Sequence, residues 1–188
     1  RSDYQNKELM VGFDNILNQF DAPFIIPEGG GNSKGVKGCS EIIPNDFDFD
    51  LCALACGTGG TMAGVVSALK AGQAVLGFPA LKNAGFLLND ISAFLKPFDS
   101  LVGSWSLNLD YHFGGYAKKN NDLIEFLKSF YQEYNLKLDP IYTVKAMFGL
   151  LDLIEKGQIK NQKVLFIHTG GLQGIKGFED RYKLTLFD

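Results

Sequence analysis

The sequence has little of what marks several protein classes. Its three cysteines (Cys39, Cys52 and Cys56) are too few for a disulfide framework, and they favour a reducing, cytoplasmic setting. No apolar run reaches the roughly 18 residues that a membrane span needs, and residues 1–8 contain no apolar signal-peptide core. A net charge of −3 gives no basic surface for nucleic acid or an anionic membrane. These absences argue against membrane, disulfide-scaffold and nucleic-acid-binding proteins.

Familiar catalytic motifs are also missing. There is no His-Glu-x-x-His, and two histidines with scattered cysteines make a poor zinc site. There is no Gly-x-Ser-x-Gly, which disfavours a Ser-His-Asp hydrolase. Cys52 and Cys56 share one strand face and are predicted to be core thiols. His168 ends a buried strand, where a hydrogen-bonded core histidine is the simpler interpretation.

The sequence is rich in glycine and in short apolar runs. It has 188 residues, 46% of them hydrophobic, which suits one compact domain with a real core. Its 22 glycines exceed the roughly 13 expected from average usage. Excess glycine in a folded chain usually lies where the backbone turns sharply or approaches a ligand.

Short apolar strands alternate with helices along the chain. This alternation predicts parallel βαβ units, and so one α/β domain over residues 1–188, with a mostly parallel sheet between two helical layers. The periodicity predicts strands at 24–26, 51–55, 74–78, 104–112 and 164–167, and helices over 3–20, 35–43, 61–70, 82–95, 121–134 and 142–156.

Three of the predicted strands end in glycine-rich turns, after Ile26, Ala55 and His168. Ligands of open α/β sheets bind beyond the carboxyl ends of the strands, so we expect these turns to converge on a site. The turn at 57–61 places N–H groups and two hydroxyls at a helix start, which favours a phosphate. It matches neither a Walker A loop nor the dinucleotide-binding pattern. A tight turn without a ligand is the alternative.

Four segments together resemble one family. They are Ile-Pro-Glu-Gly-Gly-Gly-Asn at 26–32, Gly-Thr-Gly-Gly-Thr-Met-Ala-Gly at 57–64, Leu-Asp-Pro-Ile-Tyr-Thr-Val-Lys-Ala-Met at 138–147, and Phe-Ile-His-Thr-Gly-Gly at 166–171. In order and spacing the chain resembles the 1-aminocyclopropane-1-carboxylate deaminase and D-cysteine desulfhydrase family. These are pyridoxal-phosphate enzymes with the tryptophan-synthase-β-like fold, so the resemblance implies the large cofactor-binding domain of a longer, two-domain enzyme.

The resemblance also implies roles for individual residues. Tyr142 and Tyr116 match two active-site tyrosines, which we expect to serve as acid/base and substrate-orienting groups, and Asn32 matches a loop that lines the substrate site. Thr143 matches the position that faces the pyridine nitrogen, with Thr169 beside it. A helix-start cap is the alternative role for Thr143. The residues that match the cofactor-phosphate loop are Gly57, Thr58, Gly59, Gly60 and Thr61.

Thr143 bears on the substrate. A carboxylate at that position would keep the pyridine nitrogen protonated and strengthen the electron sink, whereas a hydroxyl cannot. Opening a cyclopropane ring needs the stronger sink, because it has no good leaving group. We therefore expect elimination from a small D-amino acid such as D-cysteine, giving a keto acid and ammonia. A 1-aminocyclopropane-1-carboxylate deaminase proper is the alternative.

The family's Schiff-base lysine lies in an N-terminal Gly-Asn-Lys motif that this sequence does not contain. Lys34, in Gly-Asn-Ser-Lys, belongs to a different loop and is not expected to replace it. Arg1 matches a point well inside the family's chain, so we expect about a domain's worth of sequence upstream. The resemblance also implies a homodimer. A truncated, non-catalytic module that binds pyridoxal phosphate or another phosphate, and an unrelated α/β protein, are the other interpretations.

Overall fold

A four-stranded parallel sheet forms the centre of the molecule. The computed structural model describes residues 17–24, 26–98 and 100–187. The strands are β1 (Leu51–Cys56), β2 (Ala74–Pro79), β3 (Ser104–Leu107) and β4 (Val164–Ile167), in the order β3-β2-β1-β4. β1 is central, with Leu51 in register with Ala74 on one side and with Val164 on the other.

Helices alternate with the strands along much of the described chain, and one helix precedes β1. They are α1 (Ser33–Cys39), α2 (Gly60–Ser67), α3 (Leu87–Leu95), α4 (Asn121–Tyr134), α5 (Thr143–Glu155) and α6 (Ile175–Tyr182), with 3-10 turns at Glu28–Gly30, Ala84–Phe86 and Leu172–Gly174.

The two faces of β1 separate two apolar cores. All six residues of β1 are buried, as expected for a central parallel strand covered on both sides. Alternate residues face opposite ways, with Ala53 on one face and Leu54 on the other. Helices α4, α5 and α6 pack on the Ala53 face, while α1, α2 and α3 pack on the Leu54 face. The predicted three-layer α/β arrangement is therefore confirmed.

The predicted strand at 24–26 is wrong for the residues that can be judged. Phe24 and Ile26 are not in a strand, and they are 64% and 73% exposed. Prolines at positions 23 and 27 lack the N–H that a ladder needs, so local apolar character was not sufficient to form a strand. The strand predicted over 104–112 is shorter, and α6 was not predicted. The helix predicted over 3–20 lies mostly outside the described residues.

In the described ranges, no helix combines the length and the apolar character needed to cross a bilayer.

Candidate functional site

A cavity of about 400 Å³ lies at the carboxyl end of β1. Four chain segments form its walls: the turn at Glu28–Gly29, residues 55–62, the start of α5 at Asp139 and Tyr142, and residues 169–173. The three glycine-rich turns thus meet as predicted, although the first of them does not follow a strand. The turns meet at the carboxyl ends of the strands, where ligands of parallel sheets bind.

The turn at 57–61 delivers the start of α2 to this cavity. Gly59 is the N-cap, with φ +86°, and no side chain caps the helix. A Cβ at Gly59 would lie 2.6 Å from Ile91 Cγ1, so both conformation and space require glycine there. The first intrahelical bond is Ala63 N–H to Gly59 O, at 2.9 Å. The N–H groups of the first turn are therefore left for a ligand, at the positive end of the helix dipole.

The turn Glu28–Gly30 packs against the same loop. Gly29 has φ +64°, and a Cβ there would lie 2.5 Å from Thr58 Oγ1. This close approach brings Gly29 and Glu28 into the cavity wall. Asn32, three residues later, does not line the cavity. Its Oδ1 accepts a hydrogen bond from Gly35 N at 2.9 Å and so caps α1.

Tyr142 lies against the glycine-rich turn at 57–61. A Cβ at Gly57 would be 3.4 Å from Tyr142 Cε1, so the phenol ring lies close beside this glycine. The Tyr116 ring meets the Tyr142 ring edge-on, with centroids 5.8 Å apart. Burial raises the pKa of Tyr142 to about 12, with further contributions from Tyr116, Asp139 and Glu28. The Tyr142 hydroxyl therefore keeps its proton at neutral pH and can act as a donor.

Asp139 fixes the backbone that carries Tyr142. It is 2% exposed, and its carboxylate accepts hydrogen bonds from the N–H groups of Ile141, Tyr142 and Thr143, at 2.9, 2.9 and 2.6 Å. In return Thr143 Oγ1 accepts from Asp139 N at 2.8 Å. These bonds form a reciprocal cap at the start of α5, similar in logic to a capping box.

Thr143 therefore lies behind the cavity wall. It is fully buried and is not among the residues that line the cavity. Its bond with Asp139 N at the start of α5 favours the helix-start role, and contact with a cofactor ring stays a prediction. Thr169 does line the cavity, at the end of β4. Of the two threonines, Thr169 is the one placed to meet a ligand.

His168 supports the turn that carries Thr169. Its Nδ1 accepts from Gly170 N at 3.1 Å, and its Nε2 lies 2.9 Å from Lys137 O. Because Nδ1 is an acceptor, Nε2 carries the hydrogen and donates it to the backbone carbonyl oxygen of Lys137. The predicted hydrogen-bonded histidine is half-buried rather than in the core. Cys52 and Cys56 are core thiols as predicted, and burial raises the pKa of each to about 12.

The structure brings most of the predicted site residues together. Those lining the cavity are Gly57, Thr58, Gly59, Gly60, Thr61, Tyr142 and Thr169. Tyr116 touches Tyr142 without lining the cavity and is 54% exposed. Lys34 is on α1 with its Nζ 4.9 Å from the Phe24 ring centroid, away from the cavity lining.

The sequence analysis assigned no site role to several polar residues in or behind the cavity wall. Glu28, Asp139 and Gln173 line the cavity, and Lys145 is buried beneath the start of α5. The Asp-Pro pair before a predicted helix is an N-terminal capping signal that could have identified Asp139. Nothing in the local pattern singles out Gln173, because the 3-10 turn that carries it depends on tertiary packing.

The cavity suits a ligand with a phosphate and an aromatic ring. Uncapped N–H groups at the start of α2 and the hydroxyls of Thr58 and Thr61 can bind phosphate oxygens. Ala55, Met62 and Tyr142 offer apolar and aromatic wall for a ring. Among the described residues of the lining, none is a lysine or arginine. The helix dipole, rather than a cationic side chain, would therefore balance the phosphate charge.

Comparison with known proteins shows relatives over most of the chain. A putative 1-aminocyclopropane-1-carboxylate deaminase of Pyrococcus furiosus is 33% identical over 194 aligned residues, which cover 93% of this chain and 59% of that protein. A bifunctional D-cysteine desulfhydrase/1-aminocyclopropane-1-carboxylate deaminase, mitochondrial, of Arabidopsis thaliana is 34% identical, over 81% of this chain and 42% of that protein. No family model matches the chain.

The fold agrees with these relatives. A crystal structure described as an ACC deaminase homologue superposes with a TM-score of 0.80 at 26% identity, covering 96% of this chain and 59% of its own. The chain spans about half the length of the curated relatives it matches. Over most of its length, the chain is similar in sequence to proteins named 1-aminocyclopropane-1-carboxylate deaminase and D-cysteine desulfhydrase, and similar in fold to the solved ACC deaminase homologue.

Proposed function

We propose that this chain is the cofactor-binding part of a pyridoxal-phosphate enzyme that eliminates a thiol from a small D-amino acid such as D-cysteine. The observation that carries the proposal is the uncapped start of α2 beside Tyr142 in one cavity. The relatives' names support an activity of the deaminase or desulfhydrase type. With D-cysteine the products would be sulfide, a keto acid and ammonia.

The chain's own residues would hold the cofactor at two places. The 57–61 loop would bind its phosphate through N–H groups and hydroxyls, and Thr169 would meet the pyridine ring. When bound, pyridoxal phosphate supplies the electron sink for the electron pair released at the substrate's α-carbon. The lysine that bonds this cofactor is not among the described lining residues.

Tyr142 would assist the leaving group as a hydrogen-bond acid. Its pKa of about 12 keeps the Oη proton in place at neutral pH, so Oη can donate a hydrogen bond to the sulfur as the C–S bond breaks and the sulfur takes its electron pair. Tyr116, edge-on to it, would orient the phenol.

The substrate preference rests on Thr169. A hydroxyl at a pyridine nitrogen cannot hold a positive charge there, so the sink is weak and suits a reaction with a good leaving group. Asp139, a carboxylate of the lining, already accepts three backbone N–H bonds and serves as the helix cap. Thiol elimination is therefore favoured over opening of a cyclopropane ring, and ring opening is the alternative. A homodimer stays a prediction.

The test compares D-cysteine with 1-aminocyclopropane-1-carboxylate, using protein loaded with pyridoxal phosphate. We expect sulfide, keto acid and ammonia from D-cysteine, and a loss of about 10²-fold or more in turnover on Tyr142→Phe because the acid is removed. Tyr134→Phe, an exposed tyrosine on α4, is the matched control. Product from the cyclopropane substrate alone would favour the alternative reaction. Unchanged turnover in Tyr142→Phe would remove the acid role, and bound cofactor without product would favour a binding module.

A further inference from the structure

Lys145 is a buried lysine that binds three backbone carbonyls. It lies in the first turn of α5, three residues after Tyr142, and is 1% exposed. Its Nζ donates to Gly115 O at 2.6 Å, to His112 O at 2.9 Å and to Ala80 O at 3.4 Å. These bonds use all three hydrogens of the ammonium group. Within the described ranges no carboxylate forms an ion pair with it, so the three carbonyl dipoles, with a longer-range contribution from Asp139, compensate the buried charge.

Two of the three carbonyls, those of His112 and Gly115, belong to the segment that leads into Tyr116. His112 and Gly115 are the two ends of a tight turn, in which Gly115 N donates to His112 O at 3.0 Å. Phe113, Gly114 and Gly115 all have positive φ, of 51°, 89° and 113°. A run of left-handed residues that includes phenylalanine is strained and persists only where its surroundings hold it. The Lys145 bonds to both ends of the turn contribute to that hold, together with the bond from Gly114 N to His112 Nδ1 at 2.9 Å.

Besides the Lys145 bonds, two contacts help to fix Tyr116: its side chain is hydrogen-bonded to Tyr142, and Tyr182 Oη donates to Ala117 O, in the next residue, at 2.7 Å. The residue follows the turn directly, and its side chain is 54% exposed, so its own packing constrains it weakly. Its one ring contact among the described aromatic residues is with Tyr142, which α5 carries one turn before Lys145. Lys145 therefore links the backbone of one tyrosine to the helix of the other. Ala80, at the end of β2, ties both to the sheet.

We infer that Lys145 is a positioning residue that holds Tyr116 against Tyr142 through its three carbonyl bonds. Its consequence for catalysis rests on the proposed function, but the positioning itself does not. A methionine of similar length can fill the space and cannot donate a hydrogen bond. Glutamine keeps two donors, so it should keep part of the hold.

The test is fluorine NMR at neutral pH on the whole chain carrying fluorotyrosine, without cofactor. Tyr142→Phe identifies the resonance of position 142, and Tyr116→Leu then removes the neighbouring ring. In the wild-type background we expect Tyr116→Leu to shift the position-142 resonance, because the rings are in contact. In the Lys145→Met background we expect that Tyr116-dependent shift to be lost, and in Lys145→Gln to be reduced. Lys145→Gln also serves if Lys145→Met does not fold.

Two controls separate positioning from general damage. Lys118→Met removes an exposed lysine from the same segment, and Leu153→Ala weakens the core on α5. Both should keep the full Tyr116-dependent shift. If Lys145→Met and Lys145→Gln keep it too, or if Leu153→Ala loses it equally, the inference is overturned. Because no cofactor is present, failure to bind pyridoxal phosphate would count against the proposed function and leave this result standing.

Discussion

At the scale of single residues, burial of the Lys145 ammonium group lowers the stability of the folded protein. Burial lowers its pKa from 10.5 to about 8, although Asp139 opposes this shift. The folded protein therefore holds the ammonium less readily than the unfolded chain does. Its hydrogen bonds to three carbonyls keep the group in place at neutral pH despite that cost.

This cost predicts a pH dependence of stability. Between pH 8 and 10.5 the unfolded chain binds more protons at this site than the native state does, so the free energy of unfolding rises with pH. We expect wild type to gain roughly 2–3 kcal/mol relative to Lys145→Met across that window. Urea unfolding at successive pH values measures the difference. The buried thiols, with raised pKa values, lower stability at higher pH in both proteins and cancel in the comparison. A difference that stays flat across the window would contradict the prediction.

Part of the candidate site could be predicted from the types of its residues. Tyr142 and the 57–61 loop could be found from the sequence because glycine and hydroxyl side chains at a strand-to-helix turn have a direct physical purpose. The burial of Thr143 could not be found, because it depends on Asp139 turning back to cap α5. Lys145 was also missed, since its partners Ala80, His112 and Gly115 are far from it along the chain.

At the scale of elements, α6 shows where local pattern is insufficient. Its sequence, Ile-Lys-Gly-Phe-Glu-Asp-Arg-Tyr, is short, polar and includes a glycine, so the helical spacing of Ile175, Phe178 and Tyr182 is only a weak signal. Phe178 is its one fully buried side chain, and Tyr182 Oη donates to Ala117 O at 2.7 Å. Strands β1, β2 and β4 and helices α4 and α5, in contrast, follow the predicted ranges closely. The strands are short continuous apolar runs, and the helices have apolar residues at helical spacing, so both are visible in the sequence.

Because Phe178 anchors α6 in the core, we expect the stability of the protein to depend on this side chain. Phe178→Ala should lower the free energy of unfolding by about 3–5 kcal/mol, because it removes a buried ring from the core. Leu172→Ala, on an exposed side chain just before α6, is the control and should cost much less. Thermal or urea unfolding of the two variants makes the comparison. Equal, small effects would mean that α6 is not held by Phe178.

At the scale of the whole molecule, function depends on four segments that meet at one end of the sheet. The parallel order β3-β2-β1-β4 brings the ends of β1 and β4 side by side, so the turns after them share a cavity. Topology of this kind could be predicted from alternating strands and helices. The contribution of the turn Glu28–Gly30 could not, since it reaches the cavity from a segment that forms no strand.

The central claim is that the start of α2 binds a cofactor phosphate, and one substitution tests it most directly. A Cβ at Gly60 would meet nothing closer than 4.0 Å, so a small side chain fits. Aspartate at a helix start stabilises the helix while repelling a phosphate there. We expect Gly60→Asp to fold as well as wild type.

Equilibrium dialysis with pyridoxal phosphate and with pyridoxal makes the measurement. Gly60→Asp should weaken pyridoxal phosphate binding by roughly tenfold or more, equivalent to about 1.4 kcal/mol, and leave pyridoxal binding unchanged. Gly60→Ala, with the same space and no charge, should bind both ligands as wild type does. If Gly60→Asp binds pyridoxal phosphate as tightly as wild type, the phosphate does not lie at the start of α2 and the account is wrong.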